Sequence, residues 1–221
     1  MNVAMLSRKW FKGLLRTRLA WRLSGLFWWS AVKATKGKVM DRAGYLEHCA
    51  GEIDTILPWV KPDDHVLEFG CGLGGNVHAV AGKAERVIGV DINPLYVRRA
   101  RRVNRDRDNC AFMAYDGGHL PFYDGDFTLV YSWAVFERLP KDRVAFYLGD
   151  FHRLLKPGGR TALYFLRKNA LETGFSELLG DDIYVFWDPD ELRDLHAREN
   201  LSVLEIKEWP NAWIVLAERR Q

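Results

Sequence analysis

The stretch Val66-Leu67-Glu68-Phe69-Gly70-Cys71-Gly72-Leu73-Gly74-Gly75-Asn76 constrains this chain more than any other. An apolar run ends in a carboxylate and passes at once into a loop with four glycines in six residues. Glycine has no Cβ and tolerates positive φ, so such a loop lets backbone approach a ligand closely. A second apolar run, Val87-Ile88-Gly89-Val90, ends at Asp91. Strand, glycine turn, helix, strand and acid is the order by which an α/β sheet holds the adenosine half of a cofactor.

Glycine spacing alone leaves two cofactor classes open. Gly70, Gly72 and Gly75 satisfy the G-x-G-x-x-G of dinucleotide binding, and Asp91 stands near the expected ribose position. Three features favour S-adenosylmethionine instead. Glu68 would lie beside a pyrophosphate and repel it, whereas a carboxylate there suits a cationic amino acid with a sulfonium centre. Asp116 follows the apolar run Cys110–Tyr115 and precedes Leu120-Pro121-Phe122. Leu154-Leu155-Lys156-Pro157-Gly158-Gly159-Arg160 joins a helix to a later strand.

On these four ordered motifs, from about Asp64 to Gln221, the chain resembles the class I S-adenosylmethionine-dependent methyltransferases, the small stand-alone domains in particular. The resemblance implies that Glu68 and the loop Gly70, Cys71, Gly72 and Gly74 hold the methionyl end. It implies that Asp91 takes the ribose hydroxyls and that Ile92 packs on the adenine face. Asp116 would accept from the adenine amino group, the Gly117 amide would address a ring nitrogen, and Ser132 and Trp133 would line the methionine side. No metal is expected. Many relatives carry histidine where Arg138 stands, before Leu139-Pro140. Arginine cannot serve as a base at neutral pH. Either no base is needed, or it lies elsewhere, or Arg138 binds an anionic substrate group. Other candidates for the base are Glu137, His119 and Tyr164, each with a packing or solvated role as its plain alternative.

The expected fold is α/β, a Rossmann-like seven-stranded, mostly parallel sheet with helices on both faces and a C-terminal antiparallel hairpin. Strands are predicted near 65–69, 86–90, 110–115, 127–132 and 160–167, with helices near 41–57, 74–82, 94–106, 141–155 and 189–199. Two closing runs, 201–207 and 212–218, are too close for a helical crossover and read as a hairpin. Tyr45, on the first helix, is a candidate ligand contact or a packing residue.

Charge divides the chain into an arm, 1–40, and a domain, 41–221. The arm carries nine of the 32 Lys and Arg and none of the 29 Asp and Glu, leaving the domain acidic, 23 against 29. Trp10, Trp21 and Trp28 share a helical face with Val3, Leu6 and Leu14, opposite Arg8, Lys9, Lys12 and Arg16. The longest uncharged run, Leu23–Val32, is about half a membrane span. Four readings stay open for the arm: packing on the domain or on a twin subunit, a helix in a membrane interface, a nucleic-acid contact, or a transit-type leader. Three cysteines, Cys49, Cys71 and Cys110, without C-x-x-C spacing point to a reducing compartment. The expectation is a cytoplasmic enzyme, peripheral on a membrane where the arm binds it, methylating O or N of a small, partly hydrophobic acceptor. Residues 168–188, apolar and aromatic with three acids, are the candidate lid. The alternatives are methylation of RNA or protein through the arm, and a catalytically silent cofactor-binding subunit.

Overall fold

The computed structural model describes residues 41–167 and 184–220. The arm, most of the candidate lid and Gln221 lie outside these residues. Every predicted element within them is present. Helix α1 spans Arg42–Glu52, followed by β1 His65–Phe69, α2 Gly75–Ala81, β2 Arg86–Asp91, α3 Pro94–Val103 and β3 Cys110–Ala114. The second half runs β4 Phe127–Ser132, α4 Lys141–Leu154, β5 Leu155–Leu166, α5 Pro189–Arg198, β6 Leu201–Trp209 and β7 Ala212–Arg219. The sheet order is β3-β2-β1-β4-β5-β7-β6. Pairs among β1 to β5 are parallel, and β7 runs antiparallel to both β5 and β6.

This order has one reversal, at β1. The chain winds outward through β2 and β3, then returns to place β4 on the other side of β1. The connection after β1 runs to β2 and the one after the adjacent β4 runs the other way to β5, so a crevice opens beyond the carboxyl ends of these two strands. The strands on either side of it are buried on both faces. Leu67, Phe69, Val130 and Leu163 pack with Phe136, Leu148 and Phe151 on one side. Val66, Val87, Leu129 and Ala162 pack with Ile53, Val77, Val80 and Ala100 on the other. Such two-sided burial explains why these strands read as continuous apolar runs.

Three boundaries differ from the sequence expectation. α1 ends at Glu52, and the chain reaches Pro58 through turns and a short 3₁₀ segment, Leu57–Trp59. Ile53 and Ile56 keep helical spacing but are drawn wholly into the core. α3 stops at Val103 because the Asn104 side chain donates to Ala100 O and Gly74 O, 3.0 and 2.9 Å away. β5 begins at Leu155, which pairs with Phe127 ahead of an irregularity, so Lys156–Gly159 belongs to the strand rather than linking into it.

The lower edge of the sheet is held by one buried ion pair. Arg160 of β5 donates to both Asp64 oxygens at 2.7 and 2.9 Å and to Trp59 O at 2.6 Å. Asp64 also accepts from Thr128 Oγ1 and the Lys61 amide, both at 2.7 Å. Removing one partner strands the other charge in a dry site. Asp64→Ala is therefore expected to lose about 3–5 kcal/mol in urea unfolding, and Asp64→Leu combined with Arg160→Met to recover most of it.

Candidate functional site

At the switch point the glycine turn is clamped to its neighbour strand. The amides of Gly70 and Cys71 both donate to Val90 O, at 2.8 and 2.9 Å. Gly72 N donates to Asp91 Oδ2 at 2.9 Å, and Asn93 N to Asp91 Oδ1 at 2.8 Å. The turn needs its glycines for two different reasons. Gly70 (φ +78°) has no room: a Cβ would come within 2.3 Å of Val135. Gly72 (φ +50°) has nothing within 4 Å of where a Cβ would stand, so its bare backbone borders open space.

That space is a cavity of about 400 Å³. Of the residues flagged in the sequence, Gly70, Gly72, Asp91, Ile92, Gly117 and Arg138 line it. Asp91 is buried, which pushes its carboxyl up to about 6 against the pull of its two amide donors. Each oxygen keeps acceptor capacity toward the cavity.

Other flagged residues sit around the cavity rather than in its wall. Glu68 is buried, and one of its oxygens, Oε2, has no hydrogen-bond partner. Burial raises its carboxyl to about 8, an effect that the neighbouring Tyr131, Asn76 and Val77 amide offset only in part and nearby Asp91 adds to. Cys71 is buried against Gly89, and burial drives its thiol well up, as befits a packing cysteine. Gly74 (φ +77°) is pressed against Ala100, Asn104 and Phe112. Ser132 donates to Phe69 O at 2.9 Å and ties β4 to β1. Trp133 packs on Tyr164, with ring centroids 4.8 Å apart. Asp116 is exposed, and its Oδ1 accepts from Gly118 N. Tyr45 packs beside Gly75.

The four catalytic candidates divide in the same way. Glu137, which its sequence setting suggested was solvated, is buried, and its Oε2 has no partner. Burial raises its carboxyl, against the opposing charge of Arg138. Arg138 Nε lies 3.8 Å from Glu137 Oε1, and its Nη2 donates to the Tyr184 hydroxyl at 3.2 Å. Tyr164 is held in the aromatic cluster, its hydroxyl raised first by burial and then by Glu137 and Glu52. His119 contacts the buried Asp150 at 3.2 Å from an exposed ring, outside the cavity wall.

The sequence reading passed over much of the apolar wall: Phe69, Tyr96, Tyr115, Val135 and Tyr147. It also passed over Arg143, which donates to Gly117 O at 2.7 Å beside the Tyr147 hydroxyl at 2.9 Å from the same oxygen. Arg143 and Tyr147 stand four apart on α4, a helical pair whose partner cannot be named until the loop is in place. Ala134, also in the wall, holds φ +55°. A strained backbone position without glycine is a mark of functional loops, but alanine gives no sign of it in sequence.

Comparison with known proteins agrees with the geometry. Residues 66–159 match the profile of a family described as a methyltransferase domain. A 24-methylenesterol C-methyltransferase 2 of Oryza sativa subsp. japonica is 34% identical over 108 residues, 47% of this chain and 29% of that protein. An arsenite methyltransferase of Halobacterium salinarum is 35% identical over 109 residues, 47% of this chain and 27% of its own length. The chain thus spans under a third of these curated relatives. Magnesium protoporphyrin IX methyltransferase of Synechocystis PCC 6803, solved with bound S-adenosylhomocysteine, superposes with a TM-score of 0.70 at 18% identity, covering 91% of this chain and 97% of its own. Residues 66–159 thus match a methyltransferase domain by sequence across the glycine turn, and the chain shares its fold over most of its length with a solved methyltransferase.

Proposed function

We propose that this protein transfers a methyl group from S-adenosylmethionine to O or N of a small, partly hydrophobic acceptor at a membrane surface. One observation carries the cofactor assignment. Asp91 is fixed at the cavity wall by two backbone amides, directly beside the open backbone of Gly72. A two-oxygen acceptor beside bare backbone fits a ribose diol. The orphaned, buried Glu68 oxygen below the turn fits a cationic ligand and would oppose a pyrophosphate.

When bound, the cofactor supplies an electrophilic methyl group on a sulfonium. The residues of the chain then have to orient and to exclude water. Ile92, Tyr96 and Tyr115 offer apolar surface for a base, and Gly117 and Asp116 its polar edge. Holding reactants in attack geometry lowers a barrier by roughly 7–11 kcal/mol. Proton removal is a smaller effect, and we assign it to no residue. Arg138, in the cavity wall with a neutral hydroxyl and a buried carboxyl as its neighbours, is assigned to an anionic group of the acceptor.

The hydrophobic acceptor draws its support from relatives whose names carry sterols and a tocopherol, and from the apolar cavity wall. Arg138 at the position where histidine is expected favours a second reading, a silent cofactor-binding subunit. A structural neighbour from Haloferax volcanii was solved as a complex with a Trm112 activator, which keeps a partner chain in view. Turnover of labelled S-adenosylmethionine with a small-molecule cell extract, followed by mass spectrometry, separates the two, because a silent subunit yields no labelled product.

Calorimetry should detect S-adenosylhomocysteine binding to the wild type, weakened about 100-fold in Asp91→Ala through loss of two charged hydrogen bonds. NAD should not bind, and tight NAD binding would sink the assignment. Cofactor affinity should also rise with pH. Glu68 and Asp91 are raised to about 8 and about 6, so a cationic ligand must displace protons to bind at lower pH. The expected dissociation constant falls by up to about tenfold per unit between pH 6 and pH 8, with protons released to buffer. Glu68→Gln should flatten the upper part of that curve.

A further inference from the structure

Six arginines fall within ten residues, Arg98 to Arg107, in a domain that is otherwise acidic. Two of them have structural work. Arg101 donates to Phe112 O at 2.7 Å, and Arg107 lies 3.5 Å from His78. Arg98, Arg102 and Arg105 are exposed and have no hydrogen-bond or ion-pair partner among the described residues. Arg98 and Arg102 stand four apart, one turn of α3, and Arg105 follows just past the end of the helix. Basic residues in a last turn complement the helix dipole, which accounts for Arg102. It does not account for Arg98, in the middle of α3, or Arg105, beyond its end. Like charges four apart repel, so Arg98 and Arg102 weaken the helix that carries them. α3 contains no acid to relieve this.

The position of the stripe matters as much as its charge. Arg42, which begins α1, donates to Val103 O at 2.8 Å and pairs with Asp106. The forty-residue arm therefore joins the domain beside the end of α3. Nine basic residues and six aromatics precede Asp41 in the sequence. The other end of α3 follows Asp91 and Asn93, and Tyr96 of its first turns lines the cavity.

We propose that Arg98, Arg102 and Arg105 form a docking face for an anionic lipid bilayer, on the side of the domain where Arg42 of α1 meets the end of α3. Guanidinium groups match phosphate bidentately, and each basic residue held near an anionic leaflet adds to the attraction. A bilayer is favoured over nucleic acid because the only large exposed hydrophobic side chains among the described residues, Tyr123 and Leu204, lie in other elements. A single strand would need stacking platforms beside the cations. In the sequence of the arm, aromatic residues alternate with basic ones at amphipathic spacing, the composition of helices that lie in a bilayer interface.

The test uses the full chain with vesicles of phosphatidylcholine alone, or of equal parts phosphatidylcholine and phosphatidylglycerol, in a sedimentation assay. Binding is expected only to the anionic vesicles and to fall with salt. Arg98→Gln, Arg102→Gln and Arg105→Gln together should weaken it by about 10- to 100-fold. S-adenosylhomocysteine affinity and melting temperature should stay at the wild-type value, so failure here is separable from failure of the cofactor assignment. Neutralising Lys61, Lys156 and Arg193 to Gln, which removes the same charge elsewhere, should leave binding within about twofold. Equal loss in both triples, no loss in the first, or equal binding to neutral vesicles would overturn the proposal. Capture of a short duplex RNA in preference to vesicles, abolished by the first triple, would overturn it in favour of nucleic acid.

Discussion

The site depends on backbone amides of the glycine turn reaching the end of β2. Gly70 and Cys71 share Val90 O, and Gly72 takes Asp91. These bonds turn two consecutive βα units into one rigid body, so the acid and the turn cannot move separately. Asn104 adds a second tether from α3 to Gly74 O. The tethers require close approach, which is why Gly70, Gly74, Gly75 and Gly89 each have a side chain within 3 Å of the missing Cβ. Gly72 alone of the turn glycines borders open space, and that difference locates the cavity.

The electrostatics of the site run against the stability of the ligand-free fold. Glu68 and Asp91 are both buried acids, each raised first by desolvation, and Asp91 raises Glu68 further. In water each would ionise freely, so folding at neutral pH costs free energy that a bound cation recovers. Sites that store such cost are common where binding rather than stability is selected. The Asp64–Arg160 pair at the opposite end of the sheet shows the contrary arrangement, with every charge satisfied. One end of the strands is built to hold together and the other to receive a ligand.

Cations on this domain are distributed with the same division. Arg143, in the cavity wall, and Arg153, outside it, spend their donors on carbonyls of the loop following β3 and on Asp150. Arg98, Arg102 and Arg105 spend none within the described fold. Arg138, in the cavity wall, stands between these cases, beside a tyrosine hydroxyl and a buried carboxyl.

The mostly parallel sheet with its closing hairpin, and the glycine turn, were legible because both rest on local patterns. Two-sided burial writes each central strand as an apolar run, and close approach writes the turn as glycine. Boundaries were less legible at Ile53, Asn104 and Leu155, where a distant contact ends or extends the element. Asp91, Ile92, Gly70, Gly72 and Gly117 could be named in advance because each sits at a fixed offset from a strand end. Tyr96, Arg143, Tyr147 and Ala134 could not, since they reach the cavity from a helix face or a strained loop, and their own residue types are ordinary there. Glu137 looked like a solvated residue until the segment carrying Val185 closed over it, through a bond from Val185 N to its carbonyl at 2.9 Å. The sequence by itself determined which backbone must come close and which acids end the strands. Only the tertiary structure decided which side chains face the cavity, because that depends on where separate helices cross, and no local pattern records a crossing.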